Sequence, residues 1–407
     1  MLPAADHVIR ETIRLAEGQT LDGHGQIYTL PEGFNFAPIV AQDIAGATIQ
    51  NLTIIAPADS LERITGLITV RKTTGVTIRN VTLQAASRGS GGKSALPLII
   101  WDTSGTLVEN SRFSHSPHWN IESTKNRRLL LRRVESHRAH FDGIKLATSN
   151  YDTVIDSCHC HSNGFGRGGV GDGIDLTHGA TRVNIVNTVC ENNTNGICFK
   201  YAPWHKNHET GRVPCYGVSI RGGSLSHNNS SGLFAQGFSG PPPDGVEGDA
   251  APWPIGFTIS DVVAERNTNH GFLVGAGTWT LKNCTAYRNG GHGFYISELS
   301  KYCRLSDCLA VANADANFNI WGRRTDLDHC TAYGVDVWEY PADDWQAAPP
   351  LSSYGINYQW KPARGADHGE FRRIINKYSK KENDKPRNLP AHAWHDDTRT
   401  KGPNARQ

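Results

Sequence analysis

Apolar residues recur along most of the chain in short alternating runs, each closed by a polar or glycine corner. The phrases Ile49-Gln-Asn51-Leu, Ile78-Arg-Asn80-Val, Val108-Glu-Asn110-Ser, Leu131-Arg-Arg133-Val, Ile155-Asp-Ser157-Cys and Ile185-Val-Asn187-Thr share one pattern. Ile220-Arg-Gly222-Gly, Ile259-Ser-Asp261-Val, Leu281-Lys-Asn283-Cys, Leu305-Ser-Asp307-Cys and Leu327-Asp-His329-Cys continue it, and Leu21-Asp-Gly23-His reads as its first member. Period-two alternation sends one set of side chains inward and the next to solvent. Asn and Asp at the corners tolerate left-handed backbone. Spacings of about 22 to 39 residues, the shortest near one minimal coil, predict a β-solenoid. A sandwich or propeller would require more even strands and tight Asn-Gly hairpins, which are few here. The expected fold is therefore all-β, a single-domain parallel β-helix over residues 18–337 with about 11–12 coils.

Both ends are expected to close that solenoid. In residues 1–17, Asp6 followed by Val8, Ile9, Arg10, Glu11, Ile13 and Leu15 reads as a short capped amphipathic helix. Residues 338–407 mix Trp, Tyr and Pro with charge and read as a C-terminal cap, ending in a polar tail from Lys380.

Within the repeats, His140 to Lys200 concentrates the chemistry. Asp142-Gly-Ile-Lys145, Asp172-Gly-Ile-Asp175 and Asn195-Gly-Ile-Cys198 put Asp142, Asp172 and Asn195 in one column and Lys145, Asp175 and Cys198 in a second. Glu122 falls one coil earlier, beside Lys145. Coils stack about 4.8 Å apart, so neighbouring carboxylates cannot both ionise freely and one pKa must rise. One residue type then supplies both an acid and a base, as glycosidic cleavage requires. The bland reading is that Asp before Gly is good turn chemistry and Asp175 a surface charge. Long connections after Cys160, Tyr201 and Gln236 would wall a groove. In them Tyr201, Trp204 and Trp253 could stack on sugar rings, Arg167, Lys200 and Lys206 could hold carboxylates or sulfates, and His205 is a further substrate-binding candidate. Packing of the loops against the solenoid is the alternative for these aromatics.

The cysteines 158, 284, 308 and 330 each follow a corner and should stack inward. Cys158-His159-Cys160-His161 sends its cysteines and histidines to opposite faces of a strand, which spoils a four-ligand zinc knot. His137, His161 and Glu191 align on an outer face, as a solvated polar surface or as ligands for a divalent ion. No metal or cofactor is expected, although whether calcium takes part stays open.

Bulk properties narrow the partners. Lys and Arg number 41 against 39 Asp and Glu, a net charge of +2, which argues against a nucleic-acid partner. No apolar run approaches a membrane span, and the first residues lack a charged n-region and an apolar h-region. No signal peptide is expected, and the expected location is cytoplasmic, or virion-associated and released. An odd count of 9 cysteines fits a reduced compartment.

Over roughly residues 18–335 the repeat resembles the right-handed parallel β-helix of the pectate-lyase-like superfamily. Within it, Ser116-Pro-His118-Trp119, Phe141-Asp142-Gly-Ile and Asp172-Gly-Ile-Asp175 look like the polygalacturonase series. That resemblance makes Asp142 and Asp172 members of the catalytic acid set. His140-Phe141 stands in place of the family's Asn-Thr, Gly171 in place of the first of its paired acids, and Asn195 in place of its histidine. Phage tailspike depolymerases resemble the chain in their Asp-x-x-Asp pairs, like Asp172 and Asp175, and are often homotrimers. The expected activity is glycoside hydrolysis of an acidic polysaccharide. Asp172 and Asp175 would act as acid and base or nucleophile and Asp142 would share the proton, with Glu122 and Asn195 at the substrate. The alternatives are a lyase or uronate C5-epimerase, with Lys145, Lys200 or Arg167 as base, and a non-catalytic adhesin.

Overall fold

The computed structural model describes residues 7–57, 66–85, 95–164, 171–177, 179–200, 215–235, 256–275, 277–297, 300, 302–321, 325–333 and 358–359. Among these, thirteen parallel strands form one sheet, from Ile13–Arg14 through Ile121–Thr124, Ile144–Leu146, Ile174–Thr177 and Ile197–Lys200 to Tyr358–Gln359. The other walls are a second parallel ladder, bent along its length. Strand Leu130–His137 runs unbroken in one coil, whereas the next coil pairs with it in two pieces, Val154–Asp156 and His159–His161.

The bend is the corner seen in the sequence. Asn51, Asn80, Asn110, Arg133, Ser157, Asn187, Gly222, Asp261, Asn283, Asp307 and His329 all have left-handed φ, between 48° and 66°. Asn and Asp adopt that region at least cost among residues with a side chain. Several also bond along the column, as where Asn80 Nδ2 donates to Asn51 Oδ1 at 3.1 Å and Asn283 Nδ2 to Asp261 Oδ1 at 2.7 Å.

Inside, like stacks on like. Ile49, Ile78, Val108, Leu131, Ile155 and Ile185 are buried in successive coils, each contributing about 1.5–3 kcal/mol of hydrophobic stabilisation. Phe272, Phe294 and Phe318 stack with centroids 4.9 and 5.0 Å apart. Beside them runs a buried amide ladder. Nδ2 of Asn163, Asn193, Asn228, Asn267 and Asn289 donates in turn to Oδ1 of Asn193, Asn228, Asn267, Asn289 and Asn313. All nine cysteines are free and buried. Cys158, Cys284, Cys308 and Cys330 point inward as expected, their thiols donating to backbone carbonyls.

Among the described residues the expected N-terminal helix is absent. Residues 8–15 are extended instead: Val8 bridges Thr29, and Ile13–Arg14 pairs in parallel with Ile39 and Val40. The first coil exposes unpaired carbonyls, and the amides of Ile13 and Leu15 bond to those of Pro38 and Val40. Satisfying that edge while burying Ile9 and Leu15 outweighs the modest helix preference of a β-branched segment. Of the expected C-terminal cap, only Tyr358–Gln359 is described, paired with Phe318 and Asn319.

Candidate active site

Four consecutive strands of the thirteen-stranded sheet carry the site. Their register aligns Glu122 with Lys145, Lys145 with Asp175, and Asp175 with Cys198. The glycine before each strand has a steric cause. A Cβ on Gly143, Gly173 or Gly196 would lie 2.7, 2.6 or 2.5 Å from a glycine carbonyl oxygen of the next coil. Close backbone approach therefore brings Asp142, Asp172 and Asn195 over one another. The amide of Asp172 donates to Asp142 Oδ1 at 2.9 Å, and Asn195 Nδ2 donates to Asp172 Oδ1 at 2.8 Å.

Three carboxylates and two ammonium groups meet here. Lys145 Nζ donates to Asp175 Oδ2 at 2.6 Å and to Asp142 Oδ2 at 3.3 Å. Lys200 Nζ donates to Asp172 Oδ2 at 2.8 Å and to Asp175 Oδ2 at 3.2 Å, and stands 3.9 Å from Asp142 Oδ1. The aspartates are fully buried, while the lysine side chains keep 17% and 29% exposure, so the cations are what the site shows to solvent. Burial, and next the charge of Asp175, push the Asp142 pKa up to about 7. Burial also opposes ionisation of Asp175, but Lys145 and Lys200 outweigh it and hold that carboxyl below its ordinary value. Burial likewise works against the charge on both lysines, yet the aspartates win and raise both pKa values. A proton on Asp142 leaves two carboxylates facing two ammonium groups, which is charge balance. Burial and the nearby Asp172 and Asp175 raise Cys198 far above its ordinary value, so it is an inert thiol. Ligand atoms of Asp172, Asp175 and Cys198 lie within 4.8 Å of one another, and both carboxylates hold lysines through Oδ2.

Around the cluster, Lys145 Nζ sits 4.9 Å from the Trp119 ring centre. His118 stacks on Phe141 with centroids 5.8 Å apart, and burial lowers its pKa. Glu122 is half-buried, and burial raises its pKa against the pull of Lys145. The same face continues through half-buried Phe234, Leu273 and Tyr295, which follow Cys198 in register. There His270, His292 and Tyr295 form a stacked group, the two imidazoles 5.0 Å apart. This strip was missed from the sequence, although His270-Gly-Phe272 and His292-Gly-Phe294 repeat the Asp142-Gly-Ile phrase.

The structure thus gathers Asp142, Asp172, Asp175, Lys145, Asn195 and Glu122 as expected. Lys200, expected at the substrate, is bound chiefly to Asp172 and Asp175. Arg167, Tyr201, Trp204, His205, Lys206 and Trp253 lie outside the described residues. A separate surface groove along Asp43, Lys72, Asp102, Lys125 and Arg127 contains none of the buried acids. It is a corner of alternating charges from successive coils.

Residues 39–207 match the family described as "Right handed beta helix region". No curated protein matches the chain. Among solved structures, the A-module of Azotobacter vinelandii mannuronan C-5 epimerase AlgE4 is similar with a TM-score of 0.51 at 12% identity, covering 81% of this chain and 91% of that one. The periplasmic alginate epimerase AlgG is similar with a TM-score of 0.51 at 11% identity, covering 76% and 78%. An exopolygalacturonase from Thermotoga maritima has a TM-score of 0.42 at 12% identity, covering 78% and 81%. The chain is a right-handed parallel β-helix.

Proposed function

We propose that the protein is an enzyme that hydrolyses glycosidic bonds of an acidic polysaccharide at the face bearing Asp142, Asp172 and Asp175. The observation that carries this reading is the packing of three buried carboxylates around two lysines, which forces one acid to keep its proton. Asp142 is then the general acid that protonates the leaving oxygen, Asp175 stays ionised, and Asp175 and Asp172 serve as base or nucleophile. Lys145 and Lys200 are the least buried members. A uronate or sulfate on the substrate would draw their ammonium groups outward and uncover the acids. Trp119 offers a ring for a sugar beside Lys145. Asp172→Asn, which keeps the size and one acceptor oxygen, is expected to abolish release of reducing ends while circular dichroism and melting remain those of a folded β-helix. Unchanged turnover would sink the assignment.

A second reading, a uronate epimerase or lyase, draws on the alginate epimerases of the same fold. The raised pKa values of Lys145 and Lys200 count against either as the base. His118, kept neutral by burial, would take that role, with the lysines neutralising the substrate carboxylate. An unsaturated, ultraviolet-absorbing end or a changed uronate epimer ratio, without new reducing ends, would select this reading. Binding without any of these products across acidic and neutral glycans would select an adhesin.

A further inference from the structure

A second cluster lies on the bent ladder, on the strand just upstream of Asp142. Strands Leu130–His137 and His159–His161 pair in parallel, with Glu135 opposite His159 and His137 opposite His161. Ser136 and Cys160 between them are fully buried, so alternation turns Glu135, His137, His159 and His161 outward. The imidazoles of His137 and His161 stack across the two coils, centroids 4.9 Å apart and only 8° from parallel. Both present Nε2 to one oxygen, Glu135 Oε1, at 3.7 and 3.3 Å.

We propose that Glu135, His137 and His161 form a binding site for a borderline divalent transition ion, best suited to Zn2+, that clasps two neighbouring coils. Three observations carry it. The ligand atoms of these residues all lie within 4.8 Å of one another. A tetrahedral ion with bonds of about 2.0–2.2 Å separates its ligand atoms by about 3.3–3.5 Å; Glu135 Oε1 lies 3.3 Å from His161 Nε2, within that range, and 3.7 Å from His137 Nε2, slightly beyond it. His137 Nε2 is buried with no hydrogen-bond partner among the described residues, an orphan that a metal bond would satisfy. Lastly, the supporting contacts are already in place. Arg112 bonds the other oxygen, Glu135 Oε2, at 2.9 Å from Nε and 2.7 Å from Nη2, so Oε1 faces the two histidine nitrogens. His161 Nδ1 is 3.3 Å from Ser162 Oγ, a partner that fixes the ring as ligating histidines require.

The adjacent face also carries His115, Arg138, His159 and Glu191, of which His159 and Glu191 pair with each other at 2.9 Å. Two imidazoles and one carboxylate leave a fourth position to water or to a ligand. The site shares no residue with the aspartate cluster and does not depend on the reaction proposed there.

The test uses the full chain stripped with a chelator and dialysed. Zn2+ titrated calorimetrically, and Co2+ titrated by its visible absorption, are expected to show one saturable site with a tetrahedral Co2+ spectrum. His137→Ala and His161→Ala should each weaken Zn2+ binding by more than the ~10–100-fold that loss of a supporting partner costs. Asp142→Asn should leave it unchanged. Zn2+ should raise the melting temperature of the parent but not of either histidine variant. Equal Zn2+ affinity in the parent and in a His137→Ala/His161→Ala double variant, or no saturable binding by the folded parent, would overturn the proposal. Glu135→Gln keeps a hydrogen-bonding amide and guards against misreading a folding defect: it should melt like the stripped parent and still bind Zn2+ more weakly.

Discussion

Asp142 and Asp175 flank the same ammonium, that of Lys145, at 3.3 and 2.6 Å, yet their proton affinities are driven in opposite directions. Asp175 takes the shorter bond and also meets Lys200, so it stays ionised. Asp142 takes the longer bond and feels the charge on Asp175, so it keeps its proton. The lysines do not simply cancel the acids. They rank them.

That ranking has a consequence for stability. Between the ordinary value of 3.8 and the folded value of about 7, the folded chain holds a proton on Asp142 that the unfolded chain has lost. Stability must therefore fall as pH rises across that window, by at most about 4 kcal/mol. Asp175 acts the other way, but only at lower pH: its depressed pKa supplies stability that is lost as pH falls below its ordinary range. It does not mask the slope from Asp142. Melting temperatures are expected to decline from pH 5 to pH 8 in the parent and to flatten in Asp142→Asn, which keeps an acceptor for the Asp172 amide. Parallel profiles would show that Asp142 ionises normally.

Removing a lysine tests the same balance from the other side. Lys200→Met leaves Asp172 without its ammonium partner and Asp175 with Lys145 alone. Breaking a buried ion pair from one side costs about 3–5 kcal/mol. Protonation of the carboxyls offsets part of this, so the loss should be larger at pH 9 than at pH 5 when followed by denaturant unfolding. The Asp142→Asn/Lys200→Met double variant should recover part of the stability at pH 9, because one acid can no longer ionise. Additive losses would mean the charges are not coupled.

Much of this was legible in the sequence. The corner residues predicted the left-handed bends, and the spacing of Lys145, Asp175 and Cys198 predicted their register, because one coil of a solenoid is a fixed local unit. Other features depend on partners the sequence does not display. The apolar spacing from Val8 to Leu15 suits a helix and a short strand alike, and only the open edge at Pro38 and Val40 decides between them. Lys200 reads as a substrate ligand until the fold places its ammonium against Asp172. Asn163, Asn193 and Asn228 look like loop residues, since a polar side chain gives no sign that others of its kind will stack on it in the interior.

The Gly column makes a sharper claim about the site. A Cβ on Gly173 would sit 2.6 Å from the Gly196 carbonyl oxygen and 3.0 Å from Asn193 Nδ2. Backbone cannot yield there without parting two coils, so Gly173→Ala should destabilise by about 1–3 kcal/mol. Because Gly173 separates Asp172 from the strand bearing Asp175, activity should fall further than the folded fraction does. A variant with parent-like melting and turnover would show that the coils can part freely.

The interior amide ladder is a separate source of rigidity. Asn228 Nδ2 donates to Asn267 Oδ1 at 2.8 Å and to the Cys190 carbonyl at 3.3 Å, and Asn228 Oδ1 accepts the Asn193 backbone amide at 3.0 Å. Asn228→Ala removes one rung and leaves that amide and the Cys190 carbonyl buried without those partners. Each such orphan costs about 1–3 kcal/mol. The expected result is a large drop in denaturation midpoint, with faster hydrogen exchange at Asn193 and its flanking strands than at Ile49 or Ile78, which lie in coils without this ladder. Because each coil contacts only its neighbours, uniform acceleration along the whole chain would instead indicate that the solenoid unfolds as one unit and that the ladder has no local role.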